Sequence, residues 1–172
     1  MSKSQHAGAP TIRPLESGDL GAVLDLSIAA WQPVFDSFAA ILGSPLFDYL
    51  HPPDWRTYQR ASVRRTCEDE KIDAFVVVAD DGAVAGYVAL AYDLELRMGV
   101  VEQIAVHPDH QRHGYARVMM EFATEQFREK QLVFASVGTG GDPGHAPARA
   151  LYEAAGFTPL PLVAYYKPLA EH

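Results

Sequence analysis

Three apolar runs follow one another in the middle of the chain and are separated only by short turns. They are Ala74 to Ala79, Val84 to Leu96 and Val100 to Val106. The turn Asp80-Asp81-Gly82 joins the first two, and an Asp-Gly pair between such runs is typical of a β-hairpin. Arg97-Met98-Gly99 turns the chain again. The segment therefore predicts a meander of three strands in which neighbours are antiparallel.

The segments around the meander show helical periodicity or further strand signals. The segment from Thr11 to Pro14 is predicted to be a short edge strand, because proline has no N–H group to donate to a hydrogen bond between strands. A helix capped by Ser17 or Asp19 keeps a 3.6-residue apolar period to Trp31. One or two short helices are predicted between Pro33 and His51, with an interruption at Gly43-Ser44-Pro45, and a helix capped by Asp54 runs to about Glu70. After the meander, a helix begins at Gly114 and a strand runs from Leu132 to Val137. A helix from Ala148 to Ala155, which Gly156 ends, and a strand from Leu162 to Tyr166 complete the predicted elements. This order predicts a mixed sheet with helices on its faces, an α/β or α+β fold.

Length and composition predict one domain and exclude several classes of protein. No shift in composition divides the 172 residues, so we expect a disordered tail over residues 1–9 and a single domain over residues 10–172. The one cysteine, Cys67, allows neither an internal disulfide nor a multi-cysteine metal site. No apolar stretch suits a signal peptide or a membrane span, so we expect a cytoplasmic protein without a membrane partner. A net charge of −8 argues against nucleic-acid binding.

The loop between the third strand of the meander and the next helix has the properties of an anion site. Gly114 and the small Ala116 let a ligand approach the backbone closely. The first N–H groups of the helix have no partner within it and lie at the positive end of its dipole. Arg112 adds a charged donor for a pyrophosphate. These features predict an anion site. The loop has neither the Walker A pattern nor G-x-G-x-x-G, and the alternative is that Gly114 only forms a turn at the start of the helix.

Three sequence motifs occur in a characteristic order along the chain. Ile104-Ala105-Val106-His107-Pro108 leads into Gln111-x-x-Gly114-x-Ala116, and the segment from Ala148 to Phe157 has the pattern A-x-x-x-Y-x-x-x-G-F. Thr11-Ile12-Arg13-Pro14, followed by Asp19-Leu20, opens the domain. In these motifs the chain resembles the GNAT superfamily of N-acetyltransferases, which transfer an acetyl group from acetyl-CoA to an amine. The resemblance covers nearly the whole chain.

This resemblance implies a fold, a cosubstrate and the residues that contact it. The fold is a mixed, mostly antiparallel sheet of six or seven strands that is splayed at the cofactor site, and a homodimer is a family-level expectation. The acyl donor is acetyl-CoA, and its pantetheine arm pairs like an added strand with the backbone of Ile104, Ala105 and Val106. The pyrophosphate is held by the loop and the helix start, through Gln111, Arg112, His113, Gly114, Tyr115, Ala116 and Arg117.

One position departs from the family pattern. His145 lies seven residues before Tyr152, where the family often has Asn. An Asn there contacts the cofactor or braces its loop. His145 either does the same through a ring N–H or faces the acceptor, and both alternatives stay open.

Acetyl transfer requires a base, because an alkylamine with a pKa near 10.4 needs about 4–5 kcal/mol to lose its proton at pH 7. Glu102 is the candidate base: it lies on the cofactor strand with the parity of Ile104 and Val106, and similar proteins often have an acidic residue on this strand. The alternative is a strand glutamate that pairs with an arginine or faces solvent. Tyr152 is the candidate acid, since the resemblance places its hydroxyl near the CoA sulfur. Its alternative role is core packing.

The aromatic segment from Trp31 to Trp55 lies where similar proteins wall the acceptor site. Trp31, Phe35 and Glu102 are the candidate acceptor contacts, and simple core packing is the alternative for the aromatic rings. His107, His110 and His113 have regular spacing, but no acidic or cysteine ligand follows at zinc spacing. We therefore expect no metal.

The sequence thus predicts an acetyl-CoA-dependent N-acetyltransferase. It would transfer the acetyl group to a primary amine of a small molecule or peptide by direct attack in a ternary complex. The alternative is an acyl-CoA-binding or sensor module of the same fold without turnover. A base and Tyr152 close to the thioester favour the enzyme, whereas a cavity that holds CoA but excludes amines favours the sensor.

Overall fold

A computed structural model of the protein describes residues 10–169, and the predicted disordered tail at residues 1–9 lies outside them. Its strands are β1 (Thr11–Pro14), β2 (Ile72–Val78), β3 (Val84–Asp93), β4 (Met98–Val106) and β5 (Phe134–Val137). They form one sheet in the order β1-β2-β3-β4-β5. The strands β1 to β4 are antiparallel to their neighbours, and β5 is parallel to β4. The predicted meander, now β2 to β4, is confirmed.

Helices cover both faces of this sheet. They are α1 (Leu20–Leu42), α2 (Ser44–Leu50), α3 (Trp55–Glu68), α4 (Tyr115–Glu129) and α5 (Ala146–Ala154). On one face, Val23 of α1 and Val63 of α3 pack against Tyr87 of β3. On the other face, Met119 and Phe127 of α4 belong to a second apolar cluster. Between residues 10 and 169, no helix has both the length and the apolar character that a bilayer span requires.

Local sequence explains where α3 and α4 begin. The side chain of Asp54 accepts hydrogen bonds from the backbone N–H groups of Arg56 (2.9 Å) and Thr57 (3.0 Å), which caps α3. Gly114 precedes α4 with φ of 85°, a left-handed conformation that glycine adopts without a steric penalty. Both predicted helix starts are confirmed.

The helix α1 is continuous over 23 residues, whereas the sequence predicts a separate helix after Pro33. A proline inside a helix removes one backbone hydrogen bond and crowds the preceding turn. The apolar face nevertheless continues past it, because Val34 and Phe35 are buried as Val23 is. Packing of this face therefore outweighs the cost of the proline, and α1 ends only at the predicted interruption, Gly43.

A β-bulge interrupts the pairing of β3 with β4. Ala89 pairs with Gln103, but the next residue, Leu90, pairs with Val101, which leaves Glu102 without a partner on β3. Side-chain alternation is broken at this point. The shared parity of Glu102 and Ile104 that the sequence predicts requires a regular strand, and β4 is not regular at Glu102.

β4 and β5 separate halfway along β4. Their pairing begins with Met98 opposite Phe134 and stops with Val101 opposite Val137. Beyond it, residues 102–106 of β4 have no neighbour on this side among the strands of residues 10–169. The backbone groups of this half of β4 therefore face an opening in the sheet, which is the splay that the resemblance implies.

The predicted last strand, Leu162 to Tyr166, is wrong. Residues 157–169 have no regular secondary structure, and Leu162 and Val163 are 81% and 73% exposed. The described sheet therefore has five strands rather than six or seven, whereas the mixed α/β class with a mostly antiparallel sheet is confirmed. The segment has the apolar composition of a strand, but it pairs with no sheet edge in the part of the chain that the structure describes.

Candidate active site

A cavity of about 550 Å³ lies in the opening between β4 and β5. Its walls are residues 101–106 of β4, the loop and first turn of α4, the chain that leads from β5 through α5, and the middle of α1. Gln59 of α3 completes it. A ligand in this cavity meets backbone groups of β4 on one side and the start of α4 at one end.

The loop before α4 has the geometry of an anion site. Arg112 and Gly114 have φ of 63° and 85°, and left-handed residues beside a helix start gather backbone N–H groups into a concave array. The first bond that closes a helical turn joins the N–H of Val118 to the carbonyl of Gly114, so the preceding amides have no partner within α4. The side-chain amide of Gln111 donates to the carbonyl of Val106 at 3.2 Å and fixes the loop to the end of β4.

Most of the predicted cofactor residues lie around this cavity. Those that line it are Ile104, Ala105, Val106, Gln111, Arg112, Ala116 and His145. His113, Gly114 and Tyr115 belong to the same loop and first turn but are not part of the cavity lining. The side chain of Arg117 is 80% exposed and its Nε donates to Glu121 Oε1 at 2.8 Å.

Glu102 lines the cavity from the bulge of β4. The residue is exposed, and among residues 10–169 it takes part in no ion pair. The alternative in which it pairs with an arginine is therefore not observed in the described part of the chain. Its side chain is available to a ligand.

The helix α5 brings Tyr152 to the wall of the same cavity, where the residue is 9% exposed. Burial raises the pKa of Tyr152 to about 12. The phenol therefore keeps its proton near neutral pH and can donate a hydrogen bond. Tyr152 also packs in the core beside Phe157, so the packing role and the cavity position coexist.

The part of the cavity next to α1 and α3 carries polar groups that the sequence did not single out. Trp31 lines this wall as predicted. Gln59 is 6% exposed, and its amide forms no hydrogen bond with the described residues. Gln103 accepts a hydrogen bond from the hydroxyl of Tyr87 at 3.0 Å, which leaves its NH₂ group for a ligand. The helical spacing of Gln59 from the buried Val63 would have placed Gln59 on the inner face of α3.

Phe35 does not line the cavity. Its ring stacks on Trp55 with centroids 4.5 Å apart and meets Phe47 edge to face at 6.4 Å. The residue is 4% exposed within this aromatic cluster. Phe35 therefore takes the core-packing alternative and is removed from the candidate acceptor contacts.

The glycine-rich chain between β5 and α5 folds around Asp142 and His145. Nδ1 of His145 is hydrogen-bonded to Asp142 Oδ1, and Asp142 Oδ2 accepts from the backbone N–H of Gly144 at 3.0 Å. Nη1 of Arg149 donates to the carbonyls of Gly140 (2.6 Å) and Asp142 (2.8 Å). The sequence singled out His145 but did not connect it with an acidic partner three residues earlier.

The other reactive side chains form no second site in the described part of the chain. Within residues 10–169, no group of three or more His, Cys, Asp or Glu side chains is arranged to hold a metal ion, and this includes His107, His110 and His113. Burial raises the pKa of the half-buried Cys67 thiol to about 11. A thiol of this pKa is almost fully protonated at neutral pH and is a poor nucleophile.

An open strand edge beside an anion-binding helix start defines a site for an extended, phosphate-bearing ligand. The chain matches the model of the Acetyltransferase (GNAT) family over residues 32–157, and it belongs to that family. The resemblance drawn from the motifs is confirmed.

Similar proteins were found among curated sequences and solved structures. Streptothricin acetyltransferase of Streptomyces lavendulae is 36% identical over 63 residues, which are 37% of this chain and only 33% of that relative's length. A nourseothricin acetyltransferase structure is 37% identical, covers 52% of each chain and has a TM-score of 0.48. The ribosomal-protein-S18-alanine N-acetyltransferase from Escherichia coli is 22% identical over 87% of this chain and 78% of that chain, with a TM-score of 0.62, and shares the fold.

Proposed function

We propose that this protein transfers the acetyl group of acetyl-CoA to a primary amine by direct attack in a ternary complex. The observation that carries the proposal is the open edge of β4, where residues 102–106 face a cavity of about 550 Å³ that ends at the start of α4. Such an edge accepts an extended chain through main-chain hydrogen bonds. Membership of the acetyltransferase family supports the same chemistry.

In this proposal acetyl-CoA lies along β4. The backbone of Ile104 to Val106 pairs with the amide groups of the pantetheine arm, and the amides from Arg112 to Arg117 hold the pyrophosphate together with the Arg112 side chain. The chain's net charge of −8 does not oppose this, because the binding charge is local and comes largely from backbone amides.

The acceptor amine enters beside α1 and α3 and meets the thioester in the middle of the cavity. Glu102 attracts the cationic amine and takes its proton directly or through water, which offsets part of the cost of about 4–5 kcal/mol for a neutral alkylamine. The amine nitrogen then attacks the carbonyl carbon. Tyr152 donates a hydrogen bond to the sulfur as the C–S bond breaks, in keeping with the raised pKa of its phenol.

The acceptor class that we propose is a small-molecule amine. Similarity to Streptothricin acetyltransferase over 63 residues supports this class. The cavity wall is consistent with it, since Trp31 offers an aromatic surface, whereas Gln59 and Gln103 offer amide groups for hydroxyl or amine substituents. Such a mixture suits a polar amine that carries some apolar surface.

Binding of acetyl-CoA is tested by thermal unfolding. At a concentration of about 100 times the dissociation constant the ligand adds about 2.7 kcal/mol, which raises the Tm by roughly 5–10 °C for a chain of this size. Gly114→Glu should abolish the shift by placing bulk and negative charge at the pyrophosphate. Gly82→Glu is the matched control, because Gly82 also has φ of 85° and open surroundings but lies in the β2–β3 turn. A parent protein without a shift would contradict the proposal.

Turnover is tested by thiol release with a panel of amines. The panel contains streptothricin, a polyamine, an amino sugar and a peptide with a primary amine. We expect amine-dependent release of CoA, with the small-molecule amines preferred over the peptide. Acetyl-CoA binding without turnover on any amine would instead support the sensor module.

A further inference from the structure

The chain between β5 and α5 presents a paired histidine at the cavity wall. We propose that His145, oriented by Asp142, is the group that accepts the proton lost by the amine nitrogen as it attacks the thioester. This inference rests on the proposed acetyl transfer and assigns a catalytic residue within it, with Asp142 as its positioning residue.

The hydrogen bonding of the imidazole leaves one nitrogen for the reaction. Nδ1 of His145 is hydrogen-bonded to Asp142 Oδ1, and a carboxylate oxygen can only accept, so Nδ1 carries the proton. In the neutral imidazole, Nε2 then has a lone pair. Within residues 10–169 the bond to Asp142 is the only hydrogen bond of this ring, and His145 lines the cavity. Nε2 is therefore the ring nitrogen that is left to accept a proton from a ligand in this cavity.

Asp142 is suited to stabilise a protonated imidazole. Burial, the largest influence, raises its pKa, but hydrogen bonds and the charge of His145 outweigh burial, so the pKa of Asp142 is lower than usual. Its second oxygen accepts from the N–H of Gly144 at 3.0 Å. The carboxylate thus stays charged and fixed, with 6% of its side chain exposed, and it faces the imidazolium that proton transfer would create.

The surrounding loop holds this pair in one arrangement. The side chain of Arg149 donates hydrogen bonds to the carbonyls of Gly140 and Asp142, at 2.6 and 2.8 Å. A Cβ at Gly140 would lie 2.5 Å from Nδ1 of His145, and a Cβ at Gly144 would lie 2.6 Å from the carbonyl oxygen of Pro33. Glycine at both positions therefore lets the loop close on α1 and around the pair.

This arrangement meets the requirements of a general base better than Glu102 does. A base acts best when a third group orients it, as Asp142 orients His145. Glu102 is exposed on the bulge and has no hydrogen-bonded partner of this kind among the described residues. Glu102 keeps the role of attracting the cationic amine and taking its first proton, while the second proton, which the nitrogen loses during the attack, passes to His145.

In the proposed step, the amine nitrogen attacks the thioester and loses a proton to His145. The neutral amine forms the C–N bond with the thioester carbonyl, and its nitrogen becomes positively charged. A proton moves from that nitrogen to Nε2 of His145. The C–S bond then breaks with its electron pair on sulfur as the carbonyl double bond re-forms. The proton held by His145 passes to this sulfur, directly or through solvent, which gives free CoA and restores the neutral imidazole.

The kinetic test uses His145→Gln and Asp142→Asn, with Asp80→Asn as the matched control, because Asp80 lies in the turn between β2 and β3 and is not part of the cavity lining. With the best amine of the panel, we expect kcat to fall at least about 100-fold in His145→Gln, the range for loss of a general base. Asp142→Asn should lower kcat about 10-fold or more, because the imidazolium loses its counter-charge. The Kd for acetyl-CoA should stay within about twofold in both variants, since neither change touches the loop before α4.

Opposite results separate the roles of this residue. A large loss of acetyl-CoA affinity with unchanged kcat would make His145 a cofactor contact and overturn the inference. Unchanged kcat in a folded His145→Gln protein would overturn it as well, although the proposed acetyl transfer would stand. If the parent protein itself acetylates no amine, the proposed function fails, and the inference fails with it.

Nuclear magnetic resonance of the imidazole nitrogens gives a test that needs no turnover. In the parent protein, long-range ¹H–¹⁵N spectra should show the His145 proton on Nδ1, and Asp142→Asn should weaken that preference. The signals are assigned by their loss in His145→Gln or, if that variant does not fold, by their change in Asp142→Asn. A proton found on Nε2 would remove the lone pair that the step requires and would overturn the inference.

Discussion

Burial alone raises the pKa of the Tyr152 phenol. No charged neighbour contributes to the shift, which raises the pKa of the phenol to about 12. The hydroxyl therefore keeps its proton, and can donate a hydrogen bond, over the whole pH range in which such an enzyme works. The same burial that gives Tyr152 a packing role in the core thus also keeps it protonated at the cavity wall.

We expect Tyr152→Phe to lower kcat about 10- to 100-fold, somewhat less than the loss of a donor from an oxyanion hole, with little change in acetyl-CoA affinity. Because the pKa is raised, ionisation of Tyr152 should cause no loss of activity below about pH 11. Steady-state kinetics from about pH 6 to about pH 10.5, which passes the ordinary phenol pKa of about 10, check this. Tyr49→Phe is the control, since Tyr49 is 81% exposed. Near-normal turnover of Tyr152→Phe across that range would contradict the assignment.

The residues of the site differ in how far the sequence could predict them. Gly114 was predicted from its position at a helix start, which is a local property, and Tyr152 from its spacing in the family motif. The partnership of Asp142 with His145 was missed, since it depends on a loop fold that glycines allow. Phe35 was misplaced because an aromatic residue on a helix faces whichever neighbour packs against it, and here that neighbour is Trp55.

At the scale of elements, two glycines show what the packing of a strand and of a helix demands. Gly99 of β4 is buried beneath Phe127 of α4, and a Cβ at Gly99 would overlap the ring of Phe127. Gly21 in the first turn of α1 has nothing within 4 Å of the position of a Cβ. The β4 position therefore needs glycine, whereas the α1 position does not.

We expect Gly99→Ala to lower the free energy of unfolding by about 1–3 kcal/mol through overpacking. Gly21→Ala should raise it by about 0.5–1 kcal/mol, because alanine is the better helix former and restricts the unfolded chain. Urea denaturation monitored by circular dichroism measures both changes. A Gly99→Ala protein as stable as the parent would show that α4 does not press on β4 at this point.

The elements that the sequence predicted well are those whose signals are local. The caps Asp54 and Gly114 and the turn at Gly82 fixed their boundaries to within a few residues. The break at Pro33 was wrong because long-range packing of α1 outweighs a local penalty. The bulge at Glu102 could not be seen, since it is a property of the pairing between two strands rather than of either sequence.

At the scale of the whole molecule, an apolar segment follows the last helix without packing on the described chain. Leu160, Leu162 and Tyr165 are 81%, 81% and 91% exposed. Phe134 on β5, the last strand of the sheet, is 71% exposed, and β5 has a strand neighbour on only one side among residues 10–169. An apolar stretch of strand-like composition and an unpaired sheet edge are complementary surfaces.

We therefore expect two copies of the chain to associate, with the segment over residues 158–169 of one copy placed on the β5 edge of the other, as the family-level expectation of a homodimer also suggests. Light scattering after size exclusion should give twice the monomer mass. The double change Leu162→Asp and Tyr165→Asp should give the monomer, because it places charge where apolar side chains and a sheet edge would meet. Leu94→Asp is the matched control, since Leu94 is 71% exposed but lies in the turn between β3 and β4. A parent protein that stays monomeric as its concentration rises would contradict the expectation, and so would a dimer that the double change leaves intact.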